Sequence, residues 1–350
     1  MAPRRKKIRR VTMTKLTIPA VAILIGGLFG HVGFGQTVPK PAILQVEIEN
    51  WVEYVDDTPD TSKWATNPNV TPASVPKNFA MQTGIADIVA VNGQPVKGSM
   101  IRNLRNMNFS TAPAPGRAIG DAPRGAITTD YFEILKLDGT SIGTIIVSGL
   151  APGPAPPGAP LAVTQGNFAI VGGTGAFLGV QGQSGQVANP QVVTLRQASV
   201  AEDPANRRQN GGGGRVRWVM HLIPMERPEI LMTPNGPVIA HSTDFSLVGA
   251  GKPAVAGEVL SIFAKGLGPT KPGVDPGSPF PATPPAVVNS PVGVTVSGVA
   301  AEVLGAVGYP GSVDGYQVNF RIPADTPRGS ATIQLTAAWI PSAEVQIAVQ

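Results

Sequence analysis

The segment Phe168–Gln183, "FAIVGGTGAFLGVQGQ", sets the strongest limit on what this chain can fold into. Four apolar residues run into a glycine-rich turn, the spelling of a strand that hands a nucleotide's phosphates to a helix. Such a loop needs the helix, because the phosphate rests on its N-terminus. Six glycines between residues 172 and 185 work against one here, since each weakens a helix by about 0.5–1 kcal/mol relative to alanine. "GTGAFLG" also sets three residues where the dinucleotide fingerprint has two. What is left is a strand, a tight turn and a second strand. In that reading Gly172, Gly173 and Gly175 supply positive φ around Thr174, and Phe177 returns an aromatic ring to the core.

The rest of the chain obeys the same rule. Its 350 residues include 42 glycines and 36 prolines, usage that favours short strands and turns over long helices. "ILQVEIENWVEYV", "GIADIVAV", "ITTDYFEILKL", "GTIIVSGL", "QVVTLRQASV" and "RVRWVMHLIP" alternate or run briefly apolar, each bounded by Gly, Pro, Asn or Asp. "SMIRNLRNMNFS" places Met100, Leu104 and Met107 at helical spacing, but its all-β surroundings favour a strand with polar residues facing a lumen. A polar loop with Trp64 as anchor is expected over 56–78, and an extended polyproline-like loop in "LAPGPAPPGAPLA". "EDPANRRQNGGGGR" reads as a hairpin tip with Arg207 and Arg208 solvated. The pattern lapses in "PEILMTPNGPV", which marks a domain boundary near residue 230, and strands resume at "GEVLSIFAKGL" with the spacing of a β-sandwich.

Charge is unevenly placed. The isoelectric point of about 9.6 traces to Arg4, Arg5, Lys6, Lys7, Arg9, Arg10 and Lys15; without these seven, 20 basic side chains face 22 acidic ones. The body therefore lacks the basic footprint of a nucleic-acid binder. Residues 1–35 have the layout of a secretory signal: a basic start, the apolar "LTIPAVAILIGGLFG" and small residues before Gln36. An uncleaved anchor is the alternative, weakened by Pro19, Gly26, Gly27 and His31. "RRVTMTK" has a loose twin-arginine flavour, so the export route stays open. The membrane is expected to matter only during export. With no cysteine, disulfides and thiolate metal sites are excluded.

"FAIVGGTGAFLGVQGQ", with "LDGTSIGTIIVSGL" before it and "GIADIVAVNGQPVKG" earlier, resembles the barrel of the dirigent and allene oxide cyclase families over roughly 43–224. The resemblance implies an eight-stranded antiparallel barrel able to hold one small ligand. Where plant dirigents carry a paired-aspartate turn this chain has Asn92–Pro95, and Gln181 stands near the place of their arginine, so no catalytic residue is carried over. "VVNSPVGVTVSGVAAEVLGAVGYPGSVDGYQVNFRIPADTPRGSATIQLT" is similar to the C-terminal module of many secreted acidobacterial proteins, itself similar to immunoglobulin-like sandwiches. The expected organisation is all-β: a signal peptide over 1–35, an eight-stranded antiparallel barrel over 36–230, and an immunoglobulin-like β-sandwich over 231–350.

Chemistry is sparse. Outside the signal the histidines are His221, read as a strand residue, and His241 at the domain junction; no "GxSxG" and no metal-spaced histidine pair occurs. Asp56, Asp57 and Asp60 read as a solvated acidic loop rather than a calcium site. Strand residues that could point into a lumen are Asp87, Arg102, Arg105, Tyr131 and Glu133, and a buried carboxylate beside an arginine would have acid–base capacity. No cofactor and no metal are expected. The expected function is non-covalent binding of a small apolar ligand by an exported protein. The alternatives are an isomerase of the cyclase type and a structural surface protein with no ligand. A homo-oligomer and a cell-envelope partner for the C-terminal domain are further expectations.

Overall fold

Alternation closes the first half of the chain into a tube. The computed structural model describes residues 42–55, 81–106, 126–151, 165–187, 196–199, 201–208 and 213–350; the signal segment, Trp64, Met107, the Asp56–Asp60 cluster and the polyproline stretch lie outside them. Eight strands form a closed antiparallel barrel: β1 Ala42–Val55, β2 Met81–Val91, β3 Lys97–Asn106, β4 Ala126–Leu135, β5 Ser141–Ala151, β6 Gln165–Gly173, β7 Gln181–Val187 and β9 Gly214–Ile223. Neighbours in the chain pair in turn, and β1 meets both β2 and β9 to complete the ring. A short strand, β8 (Arg196–Ser199), runs parallel to the last turn of β1 and extends the wall beyond the start of β9.

"SMIRNLRNMNFS" is thus a strand, and Met100, Arg102 and Leu104 share its inner face. The inward side chains stack in layers across β2, β3, β4 and β5. Gln82, Leu104 and Thr128 form one layer, Gly84, Arg102, Asp130 and Val147 the next, and Ala86, Met100, Phe132 and Ile145 a third. Phe132, Phe168, Trp218, Met100, Met220 and Leu44 are fully buried, and burial of a large apolar side chain contributes about 1.5–3 kcal/mol. Trp218 meets Phe132 edge-on at 5.1 Å and Phe168 at 5.2 Å. Eight strands leave an interior that side chains can fill, and here the middle is filled.

The two ends of the barrel differ. At the lower end the strands join by short turns, among them Asn92-Gly93, where positive φ at both residues suits a tight hairpin. Asn92 also ties that hairpin to β1, accepting from Gln45 N at 2.7 Å and donating to Ile43 O at 3.2 Å. At the upper end β1, β3, β5 and β7 finish, and residues 56–80, 107–125, 152–164 and 188–195 continue the chain.

The second half forms a further β-sheet around its own core. Strands β10 Val259–Lys265, β11 Val292–Val296, β12 Val299–Gly308, β13 Tyr316–Arg321, β14 Gly329–Ala337 and β15 Val345–Val349 pair antiparallel in the order β10-β13-β12-β11-β14-β15. Leu260, Ile262, Val318, Phe320, Ile333 and Leu335 fill its interior, and Ile230 already belongs to it. Residues 41–350 nonetheless make one compact unit. The turn after β14 joins the barrel core, with Ala338 and Ile340 buried in it and Trp339 packed against it. Trp339 Nε1 donates to Gln94 Oε1 at 2.8 Å, and Asn289 Nδ2 to Ser141 O at 2.6 Å. The lower end of the barrel is stoppered by the second sheet.

Candidate functional site

The polar groups of the lumen collect toward the upper end, and a backbone irregularity in β1 puts two of them there. Ala42, Leu44, Val46 and Ile48 face inward at every second residue. Register with β9 then shifts between Ile48 and Trp51, register with β2 shifts between Glu49 and Val52, and Asn50 takes φ 52°. Asparagine tolerates this left-handed conformation better than most residues. The bulge flips the parity, so Trp51 and Glu53 turn into the lumen; bulges re-aim side chains in this way. Glu53 and Trp51 thereby join Arg102 and Asp130, which cross-strand register sets side by side.

Arg102 is the hub. It donates from Nε to Asp130 Oδ1 at 2.8 Å and from NH2 to Oδ2 at 2.9 Å, a bidentate pair in which Asp130 is fully buried. Thr128 Oγ1 donates to Asp130 Oδ1 at 2.9 Å. Glu53 stands 3.7 Å from Arg102 NH1. Burial pushes the Glu53 carboxyl above the usual glutamate value; Arg102 opposes this, Asp130 adds to it, and a hydrogen bond with Gln197 opposes it. The guanidinium lies 4.5 Å from the centre of the Trp51 ring and 5.7 Å from that of Trp218, within cation–π range. Gly84 makes room for this stack, since a Cβ there would meet Trp51 Nε1 at 2.9 Å and Arg102 Cβ at 3.0 Å. Eight buried side-chain polar atoms among the described residues have no hydrogen-bond partner, and Trp51 Nε1, Trp218 Nε1 and Ser184 Oγ are the three on inward-facing barrel residues. Such orphans are rare and call for an explanation.

Of the five residues named as candidates for the lumen, Arg102 faces inward. Asp87, Arg105, Tyr131 and Glu133 face outward. Arg102 and Arg105 are three apart, so a period of two separates them, and Asp130, Phe132 and Ile134 take the inner face of β4 in place of Tyr131 and Glu133. Asp87 lies outside the barrel, where Arg208 donates Nε at 2.7 Å, Arg207 adds a further ion pair and Asn50 Nδ2 donates at 3.0 Å. Burial alone would raise the Asp87 carboxyl, but the hydrogen bonds from Arg208, Asn50 and Arg207 together hold it below the usual range. Arg207 and Arg208 are therefore not a solvated tip: they clamp residues 201–208 against β2. Glu53, Trp51, Asp130, Thr128 and Trp218 were not anticipated as site residues.

The glycine motif is a turn, with its glycines used differently from the expectation. Only Gly175 among Gly172, Gly173 and Gly175 has positive φ, at 60°. Gly173 is needed for close approach, because a Cβ would sit 2.4 Å from Phe177 O and 2.7 Å from Thr144 O. Gly172 has open space. Thr174 is extended and exchanges backbone hydrogen bonds with Thr144, and Phe177 is buried in the barrel core.

His221 faces outward beside Ile170, Val171, Gln181, Gly182, Gln183 and Ile223, which line an open groove of about 600 Å³; partial burial lowers its pKa. His241 is buried, with Nδ1 2.6 Å from Glu258 Oε1 and Nε2 3.3 Å from Lys252 O, so both ring nitrogens are committed to structure. Among the described residues no cluster of His, Asp and Glu is placed to hold a metal ion, and no helix is long and apolar enough to cross a membrane. No family model, curated protein or solved structure matches the chain.

Proposed function

We propose that this is an exported binding protein whose dirigent-like barrel holds a small, largely apolar ligand without covalent chemistry. The ligand rests at the upper end, on the layer formed by Glu53, Arg102 and Asp130. One observation carries this reading: a buried ion-pair layer with the two unpartnered indole donors of Trp51 and Trp218 beside it, at the end of the barrel from which the long connections leave. A barrel built only for stability gains little from it, because a buried ion pair is often no more stabilising than apolar side chains of the same volume. Burial of that layer and of Trp51 and Trp218 beside it is the setting in which binding sites place a few oriented polar groups among apolar walls. The N-terminal charge and hydropathy pattern supports export, and the second sheet serves as an immunoglobulin-like module toward the cell envelope.

A second reading has its own support. The middle of the lumen is packed with Phe132, Phe168, Trp218, Met100 and Met220, and its lower end is stoppered by residues 338–340. A structural surface protein with no ligand would look like that below the charged layer. Native mass spectrometry of the protein secreted by an exporting host, purified without detergent, separates the two. A reproducible added mass that is released on denaturation, and lost in Arg102→Met, supports the binding protein. A clean apo mass that no panel of apolar small molecules shifts sinks it in favour of the structural reading.

A further inference from the structure

Given a ligand at the upper end of the barrel, the charges and orphaned donors of the Arg102 layer restrict its chemistry. One guanidinium faces two carboxylates, and the nearer, Asp130, already takes both arms of the fork as well as the Thr128 hydroxyl. Glu53 adds a second acid 3.7 Å from the same guanidinium, with both side chains at most 7% exposed. A ligand carrying a carboxylate, sulfate or phosphate would bring a third acidic group to a single buried arginine whose best hydrogen bonds are used. Like charges in a dry site are strongly unfavourable.

The polar atoms without partners point the same way. The indole Nε1 groups of Trp51 and Trp218, whose rings lie against Arg102, can only donate. Buried donors left unmade cost more than the net value of an ordinary hydrogen bond, so a ligand oxygen that accepts from one of them gains the difference. Aromatic rings supply the rest of the surroundings, with Trp218 edge-on to Phe132 and tilted against Phe168, and Trp51 against Arg102.

We infer that the site takes an uncharged, mainly apolar molecule with a hydrogen-bond-accepting oxygen of the carbonyl or ether kind, and discriminates against anions. This rests on the binding function proposed above. Three probes of matched shape test it: acetylnaphthalene, which is neutral with an acceptor; ethylnaphthalene, which lacks the acceptor; and naphthoate, which is anionic. Affinities are read by calorimetry on the secreted full-length protein, with Trp51 and Trp218 emission as a local reporter. Acetylnaphthalene should bind about tenfold tighter than ethylnaphthalene, the value of one well-placed hydrogen bond to a buried donor, and at least about tenfold tighter than naphthoate. Read at alkaline pH, where even a raised glutamate is ionised, Glu53→Gln removes one negative charge and should raise the ratio of naphthoate to acetylnaphthalene affinity. The wild-type comparison needs no variant to fold.

Equal affinities for acetylnaphthalene and ethylnaphthalene overturn the acceptor. Naphthoate binding as tightly as acetylnaphthalene, or a ratio unmoved by Glu53→Gln, overturns the discrimination against anions. If no probe binds while native mass spectrometry still finds a retained ligand, the ligand class is wrong and the binding function stands. If neither finds a ligand, the binding function itself fails.

Discussion

Replacing Asp130 with asparagine keeps the side chain's shape and removes the charge that Arg102 faces. Asp130 is fully buried and receives three hydrogen bonds, at 2.8 and 2.9 Å from Arg102 and 2.9 Å from Thr128. The two from Arg102 are charge-assisted, worth about 1.5–3 kcal/mol each, and an amide can keep at most one of them as an acceptor. Breaking a buried pair in this way costs about 3–5 kcal/mol, because the remaining ion stays in place without compensation. Glu53, 3.7 Å from Arg102 NH1, supplies part of that compensation, which sets the expectation at the lower end, about 3 kcal/mol. At roughly 2–4 °C per kcal/mol for a large domain, the melting temperature falls by roughly 6–12 °C. Urea unfolding followed by tryptophan emission measures the loss, since Trp51 and Trp218 lie against the same guanidinium. The triple variant Arg102→Met, Asp130→Leu and Glu53→Gln removes all three charges and should recover most of that loss. A loss under about 1 kcal/mol for Asp130→Asn, or a triple variant no better than the single one, refutes the reasoning.

Gly173→Ala should cost about 2 kcal/mol or more, because backbone oxygens of Phe177 and Thr144 occupy the place of the new Cβ. Gly172→Ala, with open space, should stay within about 0.5 kcal/mol; denaturant midpoints that rank the two alike would contradict the close packing of the turn. Glu53 binds its proton more tightly in the fold than in the unfolded chain, since burial raises it. Its contribution is therefore fully present below the ordinary glutamate value and is lost as pH rises through the raised value. The difference in urea midpoint between wild type and Glu53→Gln should fall across that window, and a flat difference would show that Glu53 is not buried as described. Asp87 behaves oppositely: its carboxylate is held low, so its contribution is present above the ordinary aspartate value and lost as pH falls through the lowered one. Asp87→Asn should expose residues 201–208 to protease severalfold faster at neutral pH, and an unchanged cleavage rate would mean that the arginine clamp does not hold that segment.

The fold was more legible than the site, for a reason visible in single strands. Runs such as "ITTDYFEILKL" announce a strand through β-branched and aromatic residues whichever face is inside, and glycine spacing in 172–185 excludes a helix without reference to anything distant. Strand identity is local. The inner face is not: in β4 both Tyr131 with Glu133 and Phe132 with Ile134 offer plausible partners to a lumen, and only pairing with Met100 and Ile145 decides for Phe132. A stricter use of period two would have separated Arg102 from Arg105 and brought forward Asp130, which shares its face with Phe132.

Glu53 was beyond that rule. Counting by two from Leu44, Val46 and Ile48 sends Trp51 and Glu53 outward, the reverse of where they lie. The single residue that reverses them is Asn50, and its own cause is tertiary: its side chain donates to Asp87 on β2, which Arg207 and Arg208 hold from 120 positions further along. The outward cluster around Asp87 and the inward cluster around Arg102 are thus two sides of one bulge. The outer ion pairs fix the backbone conformation that brings Glu53 within reach of the inner arginine, so a change at Asp87 should be felt inside the barrel, through a residue that touches no ligand.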